Sequence, residues 1–422
     1  MVQRDLDVVV VGAGHAGLAT SRALVERGIT HVVLERTAIG STWQRQRWRS
    51  FRLNGPASFS GLPGLVVPGD PGAFGTADDF VRYLHAYREA FDLPVRTDCT
   101  VIATSIGPSD TFTLSTSSGD TFVARHVVAA TGGLNVARVP AVASALLPSI
   151  HQLHSIDYTH ADALPPGAVL VIGGASTGCQ IAEDLLASGR HVLMATSRVP
   201  RVPRRYRGRD IFDWLGDAGY YAQRIDELPD PSVRLLPQPQ ITGAAGERTT
   251  SYQWLAKHGV QLFGRLVGFE GNVARFDDSL HVHVRFADEM SRRITSIVDA
   301  FIETSRIDAP APTIDPAEID AGDLLLPTGP MTLDLGAHGV STVIWCTGVT
   351  GDFTWLPNEA LDAKGAVRHV DGIGEMRGIY IVGVPWLSRR GSGIIPGAGI
   401  DAEHVARTIA ERVGSRQEYS PG

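Results

Sequence analysis

Residues 8–17 read Val8-Val9-Val10-Val11-Gly12-Ala13-Gly14-His15-Ala16-Gly17, and residues 169–178 read Val169-Leu170-Val171-Ile172-Gly173-Gly174-Ala175-Ser176-Thr177-Gly178. Each is an unbroken apolar run that stops at a cluster of glycines. The first is followed by an amphipathic stretch, Leu18 to Arg27, and an apolar strand from His31 to Leu34. The second is followed by a helix from Cys179 to Ala187 and a strand from His191 to Met194. One unit of strand, glycine turn, helix and strand therefore occurs twice, about 161 residues apart. Continuous apolar strands alternating with helices predict a parallel sheet covered on both faces. The expected fold class is α/β, with two Rossmann-like dinucleotide-binding domains and the second inserted into the first. Residues 1–160 and 325–422 form the first domain in this reading, and residues 161–324 the second.

The first turn fits a physical template in which Gly12 makes the bend, Gly14 lets the backbone approach a pyrophosphate, and Gly17 brings helix against strand. The helix N-terminus then faces the negative charge. Glu35 ends the second strand, where a carboxylate accepts hydrogen bonds from a ribose, and Arg36 beside it joins the candidate cofactor-binding residues. In the second turn the candidates are Gly173, Ser176, Thr177 and Gly178, with Ala175 where the middle glycine is expected. No acid closes the following strand. Arg198 stands there instead, 20 residues after Gly178. A guanidinium can fork onto a 2′-phosphate that a carboxylate would repel, which favours NADP over NAD. Arg204 or Arg205 is a candidate second phosphate ligand within the cluster of arginines from 198 to 209. The same window, Gly174 to Gly178, also reads as the G-x-S-x-G elbow of a hydrolase with Ser176 as nucleophile; the dinucleotide template in the first half weighs against it.

Composition narrows the remaining classes. Of 422 residues, 43 % are hydrophobic and 20 % charged, which excludes wholesale disorder. A net charge of −7 and the prolines among the arginines argue against nucleic acid as a partner. No apolar run reaches the roughly 18 to 20 residues of a membrane span, and Met1 to Asp7 lacks the pattern of a signal peptide, so a cytoplasmic protein without a membrane partner is expected. Cys99, Cys179 and Cys346 form no C-x-x-C, which leaves no redox dithiol or zinc ribbon. His281 and His283, read as facing one side of a strand, lack the further ligands of a metal site, so no metal is expected. Thr111–Ser117 and Thr121–Val128 read as a hairpin, the Pro-rich stretch 308–316 as a linker or surface loop, and Asp401–Val413 as a final helix.

With these features on the page, the chain resembles the class B flavin-dependent monooxygenases, which include flavin-containing, plant auxin-forming (YUCCA-like) and related bacterial monooxygenases. The likeness rests on both glycine turns, Ala130-Thr131-Gly132, Cys346-Thr347-Gly348, Gly40-Ser41-Thr42-Trp43, Trp48-x-Ser50-x-x-x-Asn54 and His154-x-x-x-Tyr158. Pro148 and Ile150 replace the Phe and Gly that head the family's FxGxxxHxxx(W/Y) fingerprint. The resemblance implies FAD on Gly12, Gly14, Gly17 and Glu35 with Trp43 at the flavin end, and NADPH on the second turn. Thr131, Gly132, Thr347 and Gly348 join the cofactor-binding set. Asn54 matches the family's asparagine near the flavin ring and is the candidate catalytic residue; Asn54-Gly55-Pro56 equally reads as a turn. Asp401 is placed either at the flavin end of the last helix or as its N-cap.

The implied reaction is hydride transfer from NADPH to FAD, formation of a C4a-(hydro)peroxyflavin with O2, and oxygenation of a small organic substrate. N- or S-oxygenation, Baeyer-Villiger reaction and oxidative decarboxylation all remain open, as does oligomeric state. Two alternatives stand beside it: an NAD(P)H:acceptor flavin oxidoreductase that does not oxygenate, and a redox-sensing flavoprotein.

Overall fold

The computed structural model describes residues 2–417 apart from 245, 247 and 322–325. The expected boundary between residues 324 and 325 therefore begins outside the described residues.

The strands are β1 (Val2–Val11), β2 (His31–Leu34), β3 (Val95–Arg96), β4 (Val101–Ile106), β5 (Phe112–Thr116) and β6 (Thr121–Ala129) in the first part of the chain. They are followed by β7 (His151–His154), β8 (Ala168–Ile172), β9 (Val192–Ala195), β10 (Gln261–Phe263), β11 (Val340–Trp345) and β12 (Ile379–Ile381). One sheet carries the parallel order β3-β2-β1-β6-β12. The β4–β5 hairpin adds to it antiparallel along the first half of β6, and a two-stranded extension at 369–374 covers the far edge. The other sheet is parallel throughout, in the order β10-β9-β8-β11-β7. Because β7 and β11 belong to this second sheet, the expected limits 161–324 are too narrow for it at both ends.

The apolar runs are continuous because each strand buries both faces. Successive side chains alternate across a sheet. Val8 and Val10 point into one core with Val169 and Val171, while Val9 and Val11 join Phe112, Phe122 and Trp355 on the opposite side of the first sheet. Leu170 and Ile172 pack with Phe263, Phe276 and Trp345 behind the second. The shared core also takes the buried faces of α1 (His15–Val25), α3 (Ala77–Ala90), α4 (Ser176–Ala187) and α7 (Ile395–Gln417). The two glycine turns thus sit on one continuous apolar support. α3 starts on a capping box in which Thr76 and Asp79 satisfy each other's backbone N–H.

A further cluster joins Val202, Ile211 and Trp214, the last two from α5 (Ile211–Asp217), to Ile294, Val298 and Ile302 of a 26-residue helix, α6 (Leu280–Ser305). This corrects the strand expected at His281 and His283. Two residues apart on a helix, they diverge: His281 is exposed, while buried His283 meets the Thr196 hydroxyl at 2.9 Å. The final helix begins at Ile395 rather than Asp401. No helix among the described residues is long and apolar enough to cross a membrane.

Candidate functional site

The first turn owes its shape to two glycines. Gly12 has φ +110°, and a Cβ there would lie 2.5 Å from the Ala130 carbonyl oxygen. A Cβ on Gly17 would lie 1.9 Å from the oxygen of Gly12. Gly14 differs, because its φ of −79° is ordinary and nothing lies within 4 Å of the position a Cβ would take. The space in front of it is open to a ligand. Buried Glu35 closes the turn by accepting the Ala13 N–H at 2.8 Å and the Thr37 N–H at 3.2 Å. Its neighbour Arg36 is exposed. Trp43, in α2 (Ser41–Arg45), packs edge-on against Phe80 at 4.8 Å. The Arg47 guanidinium lies 5.0 Å from the Trp43 ring centre, and burial lowers its pKa to about 10.

The second turn repeats the first. Gly173 has φ +108°, and a Cβ there would meet the Cys346 oxygen at 2.4 Å; one on Gly178 would meet the oxygen of Gly173 at 1.9 Å. Thr131-Gly132 and Thr347-Gly348 follow the two carbonyls that hold these glycines. Ala175 takes φ −71°, ψ 180°, matching Gly14, so its methyl group costs no backbone strain. Exposed Arg198 leaves the end of β9 with its guanidinium 4.0 Å from the Phe286 ring centre. Thr177 is exposed at the start of α4, whereas the Thr347 hydroxyl donates to the Arg138 oxygen at 2.6 Å, and the Gly348 oxygen meets His154 Nε2 at 3.0 Å.

Three expectations change here. Arg204 is 1 % exposed, ion-paired with Asp210 and lying over the Phe74 ring at 4.5 Å, so its charge is committed inside the protein rather than offered to a phosphate. Arg201 is equally buried and pairs with Asp288 and Asp315. Asp401 is no N-cap: it lies inside α7, 1 % exposed, and accepts from the Ser388 hydroxyl at 2.8 Å. Burial raises its pKa. Ser176 is no activated nucleophile, because its hydroxyl donates to the Ile241 carbonyl at 3.0 Å and its other partners are the amides of Gln180 and Asn54.

Asn54 lies against the start of α4, next to the second turn. Its side-chain oxygen accepts from Gln180 Nε2 at 2.8 Å, and its nitrogen is 3.5 Å from the Ser176 hydroxyl. Its main-chain oxygen accepts from Arg204 at 2.6 Å. Tyr158 and Ser50 both donate to Asp184 of α4, which ties the segment leading to Asn54 onto the same helix. Next to the turn opens a cavity of about 590 Å³, with Pro56, Ser58, Phe74, Arg205 and Asp213 in its wall. That volume is within the usual range of small-molecule sites. Gln180 and Arg204 were not legible as part of this junction, since nothing in their local sequence marks a contact more than 120 residues away.

The site also has unspent hydrogen-bonding capacity. Among the described residues, His15 Nε2, Thr37 Oγ1 and Thr131 Oγ1 are all buried without a partner, and all three flank the first turn. Gln240 donates to the Gly174 oxygen at 3.0 Å while its own oxygen has no partner among the described residues. Unsatisfied buried polar atoms cost about 1 to 3 kcal/mol each, so a cluster of them beside an open glycine turn fits a polar ligand such as a dinucleotide.

The model of the pyridine nucleotide-disulphide oxidoreductase family matches residues 9–209. An uncharacterized CzcO-like oxidoreductase of Geobacillus kaustophilus is 28 % identical over 97 % of this chain and 99 % of its own. The indole-3-pyruvate monooxygenase YUCCA6 of Arabidopsis thaliana is 32 % identical over 48 % of this chain and 51 % of its own. Among solved structures, the flavin-containing monooxygenase from Stenotrophomonas maltophilia superimposes with a TM-score of 0.67 at 19 % identity, covering 97 % of this chain and 99 % of that one, a likeness of fold. The duplicated turns and these matches agree: the chain is an oxidoreductase, similar over about half of its length to a plant flavin-type monooxygenase.

Proposed function

We propose that the protein is an FAD- and NADPH-dependent monooxygenase that places one oxygen atom of O2 into a small organic substrate. In this reading the two sheets are two Rossmann-like dinucleotide-binding units, with FAD on the first turn and NADPH on the second. The observation that carries it is the pair of near-identical glycine turns, the second of them tied through Ser176 and Gln180 to Asn54, two residues from the wall of a cavity of about 590 Å³.

The bound coenzymes would supply hydride transfer and oxygen activation; the chain supplies placement. Gly12 and Gly17 let α1 present its N-terminus to the FAD pyrophosphate, and Glu35 accepts from the ribose. Arg198 meets the 2′-phosphate of NADPH from a position held by the Phe286 ring. Asn54 would offer its amide to a ligand bound at the second turn.

Electron transfer to a disulfide is the weaker reading. Burial pushes the thiols of Cys99, Cys179 and Cys346 upward, the last to about 12, so none supplies the thiolate that exchange needs. Rapid mixing of the NADPH-reduced protein with O2 tests the proposal. A transient absorbance before oxidised flavin returns, whose decay a substrate accelerates, supports oxygenation. Immediate return with stoichiometric hydrogen peroxide and no substrate effect contradicts it.

A further inference from the structure

Gln180 lies on the first turns of α4, 6 % exposed, and its side-chain nitrogen faces three acceptors. These are the Ile241 carbonyl at 2.6 Å, Asn54 Oδ1 at 2.8 Å and Ser176 Oγ at 2.9 Å. A backbone carbonyl can only accept, so the Ile241 oxygen dictates which end of the Gln180 amide carries the nitrogen. That nitrogen can only donate, so the Asn54 atom facing it has to be the oxygen. The orientation of the Asn54 amide is thus set by a peptide carbonyl two hydrogen bonds away. Among the described residues the one hydrogen-bond contact of the Asn54 nitrogen is the long 3.5 Å approach to Ser176 Oγ, on the same helix. One of its two hydrogens has no acceptor among the described residues.

We propose that Gln180 is a positioning residue: it locks Asn54 as a hydrogen-bond donor, not an acceptor, toward the ligand held between the two glycine turns. The ligand atom it serves is an electron-rich oxygen or nitrogen. This rests on the reading of the site as a flavin and nicotinamide junction, but the orientation itself can be measured without either coenzyme. An acceptor at position 54 would repel a developing oxyanion; a donor stabilises it. The link also places Asn54 under the control of α4, whose N-terminus carries the second turn.

The chain has four asparagines, Asn54, Asn135, Asn272 and Asn358, so protein labelled with 15N only in asparagine gives four side-chain NH2 pairs, assignable by single substitution. Gln180→Glu and Gln180→Met test the assignment. The introduced carboxylate has no hydrogen for Ile241 or Asn54 and accepts from the Asn54 nitrogen, turning the amide over. Protonating it restores one donor. Burial beside the Ile241 carbonyl raises the introduced carboxyl above the usual Glu value of about 4.3, so in Gln180→Glu the Asn54 NH2 signals should be displaced and move back toward their wild-type positions as pH falls from about 8 to about 5. In Gln180→Met they should be displaced without titrating. With FAD and NADPH added, both variants should release hydrogen peroxide at least about tenfold faster than wild type while FAD and NADP+ dissociation constants stay within about threefold. In Gln180→Glu alone the excess should shrink at low pH.

Asn54 signals that stay put in Gln180→Glu, or peroxide release that stays at the wild-type rate after they move, overturn the proposal. So does a release that rises equally at every pH in both variants, which a merely structural role would produce. Wild-type protein that takes up no FAD defeats the coenzyme reading and the donor role together, while the NMR result still decides whether Gln180 orients Asn54.

Discussion

Arg204 Nη1 donates to the main-chain oxygen of Asn54 at 2.6 Å across 150 residues of sequence. The same guanidinium pairs with Asp210 and lies between the rings of Phe74 and Phe212. An arginine 150 residues further along the chain therefore holds the turn at Asn54. Burial lowers the pKa of Arg204 and the Asp210 charge opposes that shift, the pattern of a charge kept inside the protein by its partner.

Removing one member of this pair leaves a buried charge alone. Arg204→Met is expected to destabilise the protein by about 3 to 5 kcal/mol. Adding Asp210→Asn, which keeps an acceptor for the Phe212 N–H at the start of α5, should recover much of the loss. Denaturant unfolding of the two variants measures both values; a single variant as stable as wild type would show that the pair is not buried as described.

The glycines divide by conformation. Gly12→Ala and Gly173→Ala place a methyl group against backbone carbonyl oxygens at positive φ, so each should abolish binding at its own turn, with at least about 1 to 3 kcal/mol of lost stability. Gly14→Ala meets no protein atom and should fold with wild-type stability, as Ala175 shows at the equivalent place. Unfolding curves together with separate FAD and NADP+ titrations check this; equal damage from all three substitutions would contradict it.

Arg198→Ala should weaken NADP+ binding by roughly 10- to 100-fold, the loss of a charge-assisted hydrogen bond, while leaving NAD+ affinity unchanged. Titration with both nucleotides gives the ratio. Parallel losses would place Arg198 away from the 2′-phosphate.

Burial lowers the pKa of His15 from 6.5 to about 4. The folded protein then holds His15 neutral where the unfolded chain protonates it, so the unfolded state binds more protons between those values. Stability from this group is fully present above pH 6.5 and falls as pH drops toward 4, by at most about 1.4 kcal/mol per unit. His31, His154 and His283 are shifted the same way. The cofactor-free His15→Leu variant should show a shallower loss of stability over this interval; an unchanged slope would mean that His15 is already charged.

Much of the architecture is written locally. Val8–Val11 and Val169–Ile172 are apolar throughout because both faces of each sheet are covered, and the glycines after them are required by two carbonyls, at Ala130 and Cys346, that leave no room for a Cβ. The long helix was missed, although its buried residues, Leu280, His283, Ala287, Ser291, Ile294, Val298 and Ile302, recur every three or four positions. Three of them are polar or small, which obscured the apolar stripe and let His281 and His283 be read as a strand pair. The arginine cluster was misread for a different reason. Whether Arg201 and Arg204 face water or a carboxylate depends on Asp288, Asp315 and Asp210, and the first two lie 87 and 114 residues from Arg201. Spacing along a chain carries no information about such pairs, and the same holds for the contact between Gln180 and Asn54.

The central claim is that two adenine dinucleotides occupy the two turns close enough for electrons to pass. The most direct measurement is the absorbance of the purified protein, reconstituted with FAD and mixed anaerobically with NADPH or NADH. The account predicts a yellow protein that NADPH bleaches much faster than NADH does. A protein that stays colourless after exposure to FAD, or flavin that neither nucleotide reduces, would contradict it.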